Sequence, residues 1–174
     1  MPRQTGRISK TERILSVYYL LRHCEEVSMQ ELRNNLKGWS DKTFSRDIAF
    51  LKQAGVPIRF SMKRKAFVLR YNIADVIPAL PENKKEQQFI EKLIRLTTIM
   101  DDMPDEDCDM WYRETFSKTS KRTMQRDFAT LNSIGYEIKY ERTEFNSHDA
   151  GLDVLPRHYY CDRPNGAYAL TTLG

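Results

Sequence analysis

Ser40 to Ile58 reads SDKTFSRDIAFLKQAGVPI, and eighty residues later Ser120 to Ile138 reads SKRTMQRDFATLNSIGYEI. Eight of these 19 positions are identical: Ser40/Ser120, Thr43/Thr123, Arg46/Arg126, Asp47/Asp127, Ala49/Ala129, Leu51/Leu131, Gly55/Gly135 and Ile58/Ile138. Roughly one match is expected by chance at average composition. The same offset pairs Leu32 and Leu36 with Tyr112 and Phe116 upstream, and Arg59-Phe60 with Lys139-Tyr140 downstream. A repeat of this reach describes a whole domain, so the expected organisation is two related units in one chain.

Working outward from the first stretch, Ser40 is placed to cap a helix in which Phe44, Ile48 and Leu51 recur at i, i+4 and i+7, with Gly55 placed to end it. Upstream, Arg13 to Leu21 has helical apolar spacing. Ser28 with Glu31 has the capping-box spacing, and Gly38-Trp39 breaks the short helix that follows. Downstream, Ile58 to Phe60 and Phe67 to Leu69 read as strands around the basic turn Met62 to Lys65. The second copy predicts helices over 88–100, 107–116 and 121–134. Its strands are expected near 137–142 and 167–171, around a long loop over 143–166. The expected fold is α+β, mainly α: tandem winged helix-turn-helix domains of three helices and a β-hairpin wing each. Residues 1–72 form a basic arm and the first domain, 73–87 a linker marked by Pro78 and Pro81, and 88–174 the second domain.

At 174 residues, 40% apolar and 30% charged, the chain has the balance of a folded globular protein. It lacks a run of 18 apolar residues, and its opening MPRQTGRISKTER lacks the apolar centre of a secretory signal, so a cytoplasmic, nucleoid-associated protein with no membrane partner is expected. Three scattered cysteines without a C-x-x-C pair argue against a disulfide framework or zinc ribbon. The net charge of +4 conceals an asymmetry: residues 1–80 carry 15 basic and 7 acidic side chains, residues 81–174 carry 13 and 17. A polyanion partner for the first half is the expectation.

With Phe44, Ile48 and Leu51 facing a core, Ser40, Lys42, Thr43, Ser45 and Arg46 lie on or beside the opposite face of the helix that would enter a major groove. Lys and Arg pair with phosphate or guanine, hydroxyls donate to either, and Ala49 permits close approach. The matching set in the second copy is Lys118, Ser120, Lys121, Arg122, Thr123, Gln125 and Arg126, where the Gln125 amide suits adenine. The turn residues Lys63, Arg64 and Lys65, with Arg3, Arg7 and Lys10 ahead of the first helix, would add attraction independent of sequence. An ordinary solvated helix face is the competing explanation for each set. In the Arg46-Asp47 and Arg126-Asp127 pairs, neighbours on a helix do not face one another. The arginine is therefore assigned to DNA, and the aspartate to a neighbouring helix or backbone group.

Other constellations are weaker. Six acids at Asp101, Asp102, Asp105, Glu106, Asp107 and Asp109 lack the order of a calcium loop and are read as charges complementing a helix dipole. His158 and Cys161 have ligand-like spacing, but no cysteine pair completes a zinc site. His23-Cys24 is read as packing. No phosphate-cradling glycine loop or nucleophile elbow occurs, so neither an enzyme nor a cofactor is expected.

The run TFSRDIAFLKQAGVPI, followed by a basic turn and AFVL, resembles the winged-helix domain of DeoR-like and WYL-type bacterial transcription regulators. The carrying residues are Ser40, Thr43, Arg46, Asp47, Gly55 and Phe67, repeated as Ser120, Thr123, Arg126, Asp127, Gly135 and Tyr168. The resemblance implies a bacterial transcription regulator. A second winged helix stands where such regulators usually carry a ligand-sensing domain. The expected function is a non-enzymatic, sequence-specific regulator bound to double-stranded DNA, as a homodimer. The alternatives are a protein-interaction module of the chromosome-segregation type, with the acidic half meeting a protein partner, and a plasmid-type replication initiator.

Overall fold

The computed structural model describes residues 8–70, 78–141 and 158–162. Its elements are α1 (Lys10–His23), β1 (Val27–Ser28), α2 (Met29–Asn35), α3 (Asp41–Gln53), β2 (Ile58–Ser61), β3 (Ala66–Leu69), α4 (Lys84–Asp102), α5 (Cys108–Thr115), α6 (Lys121–Ser133), β4 (Ile138–Glu141) and β5 (His158–Cys161). The protein is α+β and mainly helical, and each copy runs through three helices into an antiparallel hairpin.

The repeat is structural as well as sequential, because buried, half-buried and exposed positions follow the same order over 41–60 and over 121–140. Ser40 and Ser120 cap the third helices, each accepting from the backbone N–H three residues on at 3.2 Å. Both helices end alike. Gly55 (φ 92°) and Gly135 (φ 108°) take the left-handed conformation. The Gly55 N–H donates to the Lys52 carbonyl and that of Val56 to Leu51, as Gly135 does to Asn132 and Tyr136 to Leu131. This paired closure satisfies two end carbonyls of each helix and turns the chain into the first strand of the hairpin.

The hairpins share one register. Phe60 lies opposite Phe67 and Tyr140 opposite Tyr159, with ring centroids 5.0 and 4.8 Å apart. The partner of β4 is thus His158–Cys161, not the strand expected at 167–171. The strand is Tyr-rich and places Cys161 in the core. Tyr159, not Tyr168, is the counterpart of Phe67. Residues 167–171, and most of the loop over 143–166, lie outside the described residues. In the first copy β1 adds a third strand against β3. In the second, the matching segment meets β5 through the Cys161 N–H on the Asp105 carbonyl at 2.7 Å.

Two further boundaries move. Lys84 to Gln87, expected in the linker, form the first turn of α4, because Asn83 caps it through the Lys85 and Glu86 N–H groups at 2.9 and 3.3 Å. A polar, exposed first turn reads like linker until its cap is recognised. Asp101 and Asp102 sit in the last turn of α4, where the dipole disfavours acids, rather than ahead of α5. Asp101 is compensated by the Tyr18 hydroxyl, 2.6 Å from both carboxylate oxygens, and by Arg22 Nε at 3.0 Å.

These contacts join the copies, and so do the cores. Ile90 and Leu93 of α4 are buried in the first core with Ile14, Val17, Phe44 and Leu51. Leu15 of α1 is buried in the second with Leu96, Tyr112, Met124 and Leu131. The arrangement is reciprocal: α1 packs on α3 of its own copy and also on α4 and α6, while α4 packs on α6 of its own copy and also on α1 and α3. Such mutual exchange is the packing pattern of a two-fold dimer, met here within one chain.

Candidate nucleic-acid interface

Burial of Phe44, Ile48 and Leu51 turns Lys42, Ser45, Arg46 and Ala49 to solvent. Lys121, Arg122, Gln125, Arg126 and Ala129 are likewise exposed on α6. Among the described residues, Lys42, Arg46, Lys118, Lys121, Arg122 and Arg126 make no hydrogen bond or ion pair through their side chains, leaving their charges to solvent or a partner. In register, Lys42 matches Arg122 and Arg46 matches Arg126, so both third helices carry unpaired cations at the same two positions, one turn apart.

Thr43 and Thr123 are half-buried, and their hydroxyls lie 3.1 and 3.0 Å from those of Ser40 and Ser120. These four residues are built into the helix caps. Lys63, Arg64 and Lys65 are exposed in the β2–β3 turn, where Lys65 adopts φ 51° and Arg64 reaches Glu26 at 3.1 Å. Lys10 is not part of an arm: it opens α1, and its ammonium lies 4.1 and 4.4 Å from the ring centroids of Phe50 and Phe89. Arg3 and Arg7 lie outside the described residues.

The adjacent arginine and aspartate part company. Asp47 is fully buried and accepts two hydrogen bonds from Arg13, Nε at 2.6 Å and an Nη at 2.8 Å. Asp127 does the same with Arg95 at 2.7 and 3.3 Å, and also accepts from the Tyr112 hydroxyl at 2.7 Å. Burial, then the neighbouring carboxylate, raises the Tyr112 pKa, so it stays a donor. Each aspartate locks the third helix to the first, fixing the roll that leaves Arg46 and Arg126 outside. The positions of Arg13 and Arg95 carry no motif, so the partner of either aspartate was not legible before folding.

Of the six acids singled out in the second copy, only Asp109 is buried; Asp101, Asp102, Asp105, Glu106 and Asp107 are exposed. Asp109 is held by Arg113 at 2.6 Å and receives the Tyr159 N–H at 3.4 Å, and Glu106 lies 3.5 Å from His158. Asp107 stands at the N-cap of α5 and Asp109 in its first turn, where the dipole favours acids, although Asp107 takes a left-handed conformation (φ 53°) and its side chain makes no cap hydrogen bond. In the first copy Arg33 reaches Asp41 at 3.2 Å. Lys121 stands at the position of Asp41, which leaves the first turn of α6 without an acid. The more basic third-helix face therefore sits on the half with the negative net charge.

Among the described residues, no group of three or more His, Cys, Asp or Glu side chains is placed to hold a metal ion, and no helix is long and apolar enough to cross a membrane. No family model, curated protein or solved structure matches the chain.

Proposed function

We propose that the protein is a tandem winged helix-turn-helix transcription regulator that binds double-stranded DNA, with α3 and α6 as the helices entering the major groove. The observation that carries this reading is the pair of matched, unpartnered cations, Lys42/Arg122 and Arg46/Arg126, one turn apart on both helices. Like charges at i, i+4 cost a helix roughly 0.2–0.5 kcal/mol. An anionic partner running past both helices offsets that cost and gives the repeated placement a physical reason.

The cap residues Ser40, Thr43, Ser120 and Thr123 aim helix N-termini at the same partner, with dipoles that favour phosphate. Ser45 and Gln125, exposed between the cations, are the base-reading candidates. The turn Lys63 to Lys65 supplies phosphate attraction beside α3. The reciprocal packing of the copies favours a site with inverted half-sites read by one chain, in place of the homodimer that single-headed proteins require.

Anisotropy titrations of random and selected duplexes across a salt series test the reading. The Lys42→Ala/Arg46→Ala and Arg122→Ala/Arg126→Ala proteins are each expected to lower the slope of log K against log salt by up to about 2, near 0.9 for each phosphate that is no longer neutralised. Sedimentation of the complex should give one chain per inverted site; two chains would restore the homodimer. Weak, sequence-indifferent binding unchanged in both variants would overturn the proposal and leave these helices as a protein-docking face.

A further inference from the structure

The two copies differ where the turn between second and third helix meets the first. In the first copy Trp39 occupies that place. Its ring lies 4.2 Å from the Arg13 guanidinium carbon, and Leu36 nearby is 2% exposed. In register, Thr119 replaces Trp39 and Phe116 replaces Leu36. The small threonine does not fill the space of an indole. What remains is a cleft of about 690 Å³, lined by Ile94, Arg95, Phe116, Lys118, Thr119 and Ser120, with Glu91 also in its wall. Phe116 is half-buried, and the Arg95 side chain is 19% exposed against 8% for Arg13.

We infer that this cleft binds a small planar aromatic monocarboxylate, its ring taking the place that Trp39 fills in the first copy and its carboxylate meeting Lys118. The first copy supplies the template: at this junction the fold holds a flat ring on a guanidinium face. Arg95 lines the cleft, and its two hydrogen bonds to Asp127 lie at the guanidinium edge, as those of Arg13 to Asp47 do beside Trp39. Lys118 is exposed, with no hydrogen bond or ion pair of its side chain among the described residues. With Glu91 in the wall and Lys118 as the one lining cation without a side-chain partner among the described residues, the cleft offers a counter-charge for a single negative group. The cleft is broadly open to solvent, so a ligand in it keeps one face exposed. This inference concerns the cleft alone and does not rest on DNA binding.

Calorimetry on the full chain with indole-3-carboxylate, and with indole and acetate as controls, tests it. Saturable 1:1 binding of the acid is expected, with indole weaker by about tenfold for want of the charge-assisted contact and acetate inert. Thr119→Trp should close the cleft from within and abolish binding while thermal unfolding stays cooperative. Lys118→Ala, at an exposed position, should bring the acid down to the level of indole. Absence of saturable binding, or binding indifferent to Lys118→Ala, overturns the assignment, as does binding that survives Thr119→Trp in a folded protein.

Discussion

Asp47 and Asp127 are the residues on which each copy turns. Fully desolvated carboxylates with bidentate arginine partners cost little while paired, but removing one partner leaves an uncompensated buried charge, a loss of about 3–5 kcal/mol. Asp47→Ala, which strands Arg13, is expected to destabilise the protein by that order in urea titrations. Arg46→Ala, on the same helix but exposed, should change stability by no more than about 0.5 kcal/mol. Equal effects of the two would show that the pair does not divide the work as its geometry indicates. The cysteines offer a second check. Cys24 is exposed, whereas Cys108 and Cys161 are buried, and burial with Cys161 nearby pushes the Cys108 thiol up to about 12. A thiol reagent at neutral pH should therefore label one cysteine per native chain quickly, and all three only after unfolding. The division of labour within Arg46-Asp47 follows from helical geometry alone, but Arg13 is 34 residues from Asp47 and only folding brings it there.

The third helices show how one element serves two demands. Ser40→Ala and Ser120→Ala remove the cap acceptor of α3 and α6, and each is expected to cost about 1 kcal/mol of stability. Because a capping hydroxyl neutralises no phosphate, the salt slope of DNA binding should be unchanged in both, unlike that of the cation variants. A changed slope would assign these serines to DNA as well as to the helix. At this scale the sequence was informative wherever a local signal exists: the serine caps, the glycine closures and the i, i+4, i+7 stripe all sit within one helix of their effect. It misled where the decisive partner was distant. The strand paired with β4 was not identifiable from its own residues, since His158–Cys161 and the run at 167–171 both read as strand in sequence, and burial of Cys161 beneath the hairpin is known only from the fold. The beginning of α4 was obscured for the opposite reason, because its first turn is wholly polar.

The whole molecule behaves as one body in its packing, since each first helix buries residues in both cores. The polar ties of Asp101 to Tyr18 and Arg22, and of Lys10 to Phe89, cross between the copies. Calorimetric unfolding is therefore expected to give a single cooperative transition rather than two. A chain cut within residues 71–77 should lose stability even when both fragments are present, because severing the connection restores the association entropy of two bodies. Two resolved transitions in the intact chain would mean that the shared helices do not couple the copies. The sequence by itself determined that there are two related units, that each holds three helices, and which cations stand on the third helices, since these depend on composition, spacing and periodicity along short stretches. Only the tertiary structure decided that α1 and α4 are exchanged between cores, that Arg13 and Arg95 hold the buried aspartates, and that Thr119 leaves a cleft where Trp39 fills one. Each of those depends on side chains far apart in the chain competing for the same volume, and no local pattern records the winner.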